Sequence, residues 1–127
     1  MIEERIRSIL AKILDVNKDD LSPETDILKD LGAESIDLLE IAISLEKEFK
    51  IKVDENNLFL KSFRYHLEEA EKKESSEKER LGYLRSIFPF LSEERLKELS
   101  SELRNSLFPS VKIKDLISYV KWAREQV

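Results

Sequence analysis

The sequence predicts an all-α domain, and three observations carry that prediction. Apolar residues recur at three- and four-residue steps through most of the chain, and no segment alternates with period two for long. Charged residues make up 39% and hydrophobic residues 41%, the balance of amphipathic helices around a small core. At 127 residues the chain has room for one ordinary domain.

Ile2, Ile6, Ile9, Leu10, Ile13 and Leu14 repeat at helical spacing and predict a first amphipathic helix. Asn17 to Asp26 is polar, contains Ser22-Pro23, and reads as a long loop. Ile27, Leu28 and Leu31 form a short apolar turn that Gly32 ends in a left-handed conformation. Ser35 opens a second helix reaching to about Lys50, followed by an extended tuck at Ile51-Lys52-Val53. Three further helical stretches are expected at about 57–73, 77–88 and 92–107, broken by Glu74-Ser75-Ser76 and by Pro89. Pro109-Ser110 leads into a last helix near 113–126, with Ile113, Leu116, Ile117 and Val120 on one face.

The second helix carries more apolar residues than one buried stripe needs. Leu38, Ile41, Ala42, Leu45 and Phe49 share one side and are the expected core face. Ile36, Leu39 and Ile43 form a second stripe, rotated by more than a right angle, which meets either more of this chain or a partner. Acidic Asp37, Glu40 and Glu46 surround that stripe, and Lys47 interrupts them.

Composition removes most enzyme chemistries. Two glycines exclude a glycine-rich phosphate loop. Without cysteine there is no disulfide framework, thiolate zinc site or cysteine nucleophile. The one histidine, His66, rules out a multi-histidine metal site and leaves little material for a serine–histidine triad. The net charge of −5 argues against nucleic acid as a partner. The start lacks the features of a signal peptide, and no apolar run approaches the roughly 20 residues that span a bilayer. A soluble, cytoplasmic monomer is expected.

The charge is unevenly placed. Residues 1–56 hold 15 acidic and 8 basic side chains, whereas residues 57–110 hold 10 of each and seven of the ten aromatics. Seams near 57 and 110 therefore bracket a middle insert of about fifty residues within one 1–127 domain.

Asp30-Leu31-Gly32-Ala33-Glu34-Ser35-Ile36-Asp37-Leu38-Leu39-Glu40 is the most informative segment. Taken alone, Ser35 reads as an N-cap whose hydroxyl accepts an amide hydrogen bond, with no neighbouring base to make it a nucleophile. The segment also resembles the phosphopantetheine-attachment site of the acyl carrier protein family, four-helix carriers, and the resemblance extends on both sides. Ile2 to Val16 is similar to the family's first helix, Leu31 to Ser35 to its attachment motif, Ile36 to Phe49 to its second helix, and Val111 to Val120 to its last. Glu34 stands where the family usually has aspartate, Ile36 where leucine is commoner, and Ala33 where peptidyl carriers usually have glycine.

The resemblance implies a non-enzymatic carrier. It implies that Ser35 is esterified by 4′-phosphopantetheine, donated from coenzyme A by a phosphopantetheinyl transferase. Acyl groups would ride on that arm as thioesters, in fatty acid, lipid or polyketide-like biosynthesis. The transferase and acyl-handling enzymes would dock on Ile36, Asp37, Leu39, Glu40, Ile43 and Glu46. In the family the acyl chain enters between the second helix and a short third helix. The insert is expected in that helix's place, with Leu45 and Phe49 forming one wall of the acyl pocket and Phe59, Phe63 and Leu103 the other. The alternatives are a helical interaction module that keeps the fold without the arm, and an aminoacyl or peptidyl carrier.

Overall fold

A computed structural model describes residues 1–126. Among them the order is α1 (Ile2–Leu14), a 3-10 turn (Lys18–Asp20), α2 (Ser35–Phe49), α3 (Glu55–Leu58), α4 (Phe63–Lys73), α5 (Glu77–Ile87), α6 (Glu93–Glu102) and α7 (Ile113–Glu125). The fold is the all-α bundle that the periodicity predicts, with extra helices between α3 and α7.

The frame is α1 packed on both α2 and α7. Ile6 and Leu10 of α1 meet the predicted core face of α2, where Leu38, Ile41, Ala42, Leu45 and Phe49 are all buried. From α7 come Ile113, Leu116, Tyr119, Val120 and Ala123. Fully burying a side chain of this kind contributes about 1.5–3 kcal/mol, so these three helices supply most of their own cohesion. Both α1 and α2 end on left-handed residues, Asp15 and Lys50, each at φ 55°.

The stretch expected as one helix over 57–73 is two. Asp54 caps α3 by accepting the Asn57 N–H at 3.3 Å, and the chain then turns through Leu60 at φ 57° before α4 begins at Phe63. Leu58, Phe59 and Leu60 are all buried. Three consecutive residues span most of a helical turn and cannot share one face, so the backbone breaks to bury all three. The Tyr119 hydroxyl accepts the Asp54 N–H at 2.9 Å and holds α3 against α7.

The helix expected over 92–107 stops at Glu102. Leu96, Leu99 and Leu103 are buried as the spacing predicts, but Leu107 is 73% exposed and lies outside the helix. Arg64 of α4 ends it by donating to the carbonyls of Leu103 at 3.3 Å, Ser106 at 2.5 Å and Leu107 at 2.9 Å. Ser76 and Ser92 cap α5 and α6, each hydroxyl accepting the amide three residues on at 3.1 Å.

The inserted helices pack in sequence, α4 on α5 and α5 on α6, and two features join them to α7. Arg95 of α6, 5% exposed, makes a two-pronged ion pair with Asp115, 1% exposed, both bonds 2.8 Å. A run of rings then leads from Phe63 through Phe88 and Phe90 to Tyr119 and Trp122, with neighbouring centroids 4.9 to 6.4 Å apart.

Candidate functional site

The site is built on the loop before α2, and that loop is bonded along its length. Asp26 accepts the Leu28 N–H at 2.9 Å and the Lys29 N–H at 3.2 Å, while Asp30 accepts the Asp26 N–H at 2.9 Å. Its backbone is stitched to the start of α7: Ile27 N–H to Val111 O at 2.9 Å, Ile113 N–H to Thr25 O at 3.0 Å, and Lys114 N–H to Pro23 O at 2.9 Å. Glu24 sits between Lys112 and Lys114, 2.9 Å from each. Their hydrogen bonds, Lys112's first, hold its carboxyl down at about 2.

Gly32 turns the chain toward the helix. Its φ of 66° suits glycine, its N–H bonds Leu28 O at 3.1 Å, and the next amide, Ala33 N–H, bonds Ile27 O at 3.0 Å. The conformation expected of Gly32 is the one observed.

Ser35 is exposed, but it is not the N-cap that its sequence position suggested. Glu34 holds that position in an extended conformation, with φ −103° and ψ 173°. The Asp37 carboxylate accepts the Glu34 N–H at 2.8 Å, and the first helical bond runs from Leu38 N–H to Glu34 O at 3.0 Å. A carboxylate three residues into the helix has thus taken over the reciprocal arm of a capping box. Ser35 becomes the first helical residue, its hydroxyl free of capping duty. The amides of that first turn lie outside the helix's own hydrogen-bond ladder, at the positive end of the macrodipole, and so suit a phosphodiester beside the hydroxyl.

A family model described as "Phosphopantetheine attachment site" matches residues 4–62. The acyl carrier protein of Nitratidesulfovibrio vulgaris (strain DP4) is 34% identical over 56 residues, which span 44% of this chain and 74% of that protein. The chain belongs to the acyl carrier protein family. It is a carrier, and the matched domain implies attachment of phosphopantetheine. The family match takes in α3, so α4, α5 and α6 lie beyond it.

The second stripe of this carrier's α2 faces outward: Ile36 is 61%, Leu39 44% and Ile43 42% exposed. Glu40 beside it is exposed as well. The other two acids have structural work, Asp37 at the cap and Glu46 accepting the Val53 N–H at 2.9 Å to hold the tuck after α2. No helix among the described residues is long and apolar enough to cross a membrane.

Leu45, Phe49, Phe59 and Phe63, the expected acyl-pocket walls, are all buried, as is Leu103. Phe63 packs on Phe88, ring centroids 5.3 Å apart, and the Arg5 guanidinium lies 4.5 Å from the Phe49 ring centroid. These side chains are already in contact with protein. An open groove of about 1050 Å³ lies elsewhere, between the loop from Glu24 to Asp30 and the segment from Glu98 to Lys112.

Sequence reasoning missed Arg95 and Asp115. Each sits among other charges that read as solvated helix faces, and nothing local marks the two that meet 20 residues apart. Helical phase places Asp115 one turn before buried Tyr119, the one available signal.

Proposed function

We propose that Ser35 is the attachment point of 4′-phosphopantetheine and that the chain carries acyl groups in fatty acid, lipid or polyketide-like biosynthesis. The observation that carries this reading is an exposed serine at the first position of α2, three residues after Gly32 and relieved of capping by Glu34 and Asp37. When bound, the arm supplies the thiol that a cysteine-free chain lacks. The chain's own part is to hold the hydroxyl at a helix start where amides and dipole favour an anion. Intact mass after co-expression with several phosphopantetheinyl transferases tests it. The added mass should appear and should vanish in Ser35→Ala; a bare polypeptide throughout would leave the interaction module as the better reading.

The docking face we propose is Ile36, Leu39 and Ile43, with Glu40 as its free acid and Asp37 and Glu46 at its edges. Apolar area supplies the desolvation, and opposite charge mainly speeds encounter. Reversing Glu40 to lysine should slow modification by roughly tenfold at low salt, and added salt should shrink the difference. Rates indifferent to both changes would move the docking face elsewhere.

A further inference from the structure

We infer that the insert governs how Ser35 is presented to the transferase: α6 braces the pre-serine loop, and Lys114 is the positioning residue through which it does so. This rests on the assignment of Ser35 as the attachment point.

Lys114 stands in the first turn of α7 and bonds to three parts of the molecule. Its backbone N–H donates to Pro23 O at 2.9 Å and its ammonium to Glu24 at 2.9 Å, so both ends of the residue hold the pre-serine loop. The same ammonium donates to Glu98 of α6 at 3.3 Å. Glu98 also accepts from Arg95 at 3.2 Å, the residue whose ion pair with Asp115 fastens α6 to α7. Asp115 in turn accepts the Lys112 N–H at 2.9 Å, so the turn of α7 that holds the loop is itself held by α6. Burial works against the charge on Lys114, but its bonds to Glu24 and Glu98 prevail and keep it more firmly protonated than usual.

The loop passes this restraint on to the serine. Beyond Glu24, Ile113 N–H donates to Thr25 O and Ile27 N–H to Val111 O, and the Ile27 carbonyl then accepts the Ala33 N–H at 3.0 Å. Ala33 is two residues before Ser35, and Glu34 between them is the N-cap of α2. A displaced first turn of α7 therefore moves backbone two residues from the hydroxyl. Exposed ion pairs such as Glu24 with Lys114 contribute little to stability. Their effect here is on register, and group transfer is sensitive to register: a misplacement of about 1 Å can cost up to about a hundredfold in rate. The family match ends at residue 62, before α6, so this brace comes from the part of the chain that the match does not cover.

The experiment follows transfer of phosphopantetheine from coenzyme A to the unmodified chain by intact mass, over carrier concentrations that separate kcat from KM. Lys114→Met keeps the side chain's length and removes its donors. Its kcat should fall about tenfold while KM stays within about twofold, because Ile36, Leu39 and Ile43 are untouched. Lys114→Arg should restore the rate, since a guanidinium can serve both carboxylates. Glu98→Ala should also lower kcat, and adding it to Lys114→Met should cost nothing more, because Glu98 acts through Lys114. Lys97→Met is the control: Lys97 is also on α6 but pairs with Glu77 and Glu93, within the insert, and its loss should leave kcat alone. In NMR spectra of the unmodified chain, Lys114→Met should shift the amides of Ile27 and Ala33, and Lys97→Met should not. If the parent gains no mass, the attachment reading fails and this inference with it. If the parent is modified but Lys114→Met keeps its kcat, or slows only through KM, or is matched by Lys97→Met, the brace alone is overturned. Multiplying effects in the double variant would give Glu98 a separate route and overturn Lys114 as the link.

Discussion

The frame of α1, α2 and α7 and the insert of α4 to α6 share one continuous apolar core, yet they are secured differently. In the frame, mostly aliphatic residues from three helices interleave, and the charge buried on these helices, among the described residues, is Asp115, which faces the insert. The insert adds a buried cation to its leucines and phenylalanines: Arg95 lies against Asp115, with Glu98 at 3.2 Å and Glu102 at 3.4 Å. Burial opposes the charge on Arg95, but its bonds to Asp115 outweigh that and hold it more firmly protonated than usual. Apolar packing tolerates many substitutions of similar volume, whereas a buried ion pair has a defined geometry and fails badly when halved. The frame is therefore the adaptable region, and the junction of insert and frame is the specific one.

The largest effect should come from halving that pair. Asp115→Ala leaves Arg95 buried without its main partner and removes the acceptor of the Lys112 N–H, so it should destabilise by about 3–5 kcal/mol in urea denaturation. Replacing both residues together, Arg95→Met with Asp115→Leu, should recover most of the loss. A double variant as unstable as the single one would mean that the pair does more than join the helices.

Next comes the cap of α2. Asp37→Ala removes the bond to the Glu34 N–H and should lower stability by about 1 kcal/mol, measurable as a lower melting temperature.

Acid should loosen the insert's exit and the pre-serine loop before it touches the frame. The Glu24 carboxyl falls from 4.5 to about 2, and that of Glu102 is also lowered: burial pushes it up, but the bonds from Ser110 and the charge of Arg95 together outweigh that push. Depressed folded values mean that this stability is fully present above pH 4.5 and is lost as pH falls toward 2. Glu24 is exposed, so its share should be small and should fade further in high salt. Hydrogen exchange measured from pH 5 downward should register the loss first at Ile27, Ile113 and Lys114.

The smallest effect is expected at Ser35. Ser35→Ala should change stability by less than about 0.5 kcal/mol, because an exposed first-turn hydroxyl caps nothing. A loss near that of Asp37→Ala would restore Ser35 as a capping residue.

Much of this was legible in the sequence. Helical spacing located α1, α2, α5 and α7 closely, and the stripe of Ile36, Leu39 and Ile43 was correctly separated from the buried face. Local patterns failed where distant residues decide. Leu58-Phe59-Leu60 carries no breaker, and only the demand to bury all three bends the chain. The end of α6 depends on Arg64, some forty residues earlier, reaching its last carbonyls. Ser35 and Glu34 compete for one cap position, and the residue that settled the matter was Asp37, whose short side chain reaches back to the Glu34 amide.

The stitching of the pre-serine loop to the start of α7 also has a consequence for how the molecule assembles. Glu24 and Lys112 are 88 positions apart, so the loop cannot be pinned until the whole insert has been gathered behind it. Long closures slow folding, and the pre-serine loop should acquire its final shape late, after α1 and α2 have met. The equilibrium penalty is mild, since doubling a closed loop costs only about 0.6 kcal/mol. The extra helices at this point of the chain therefore delay the moment at which the loop takes its final shape far more than they weaken it once made.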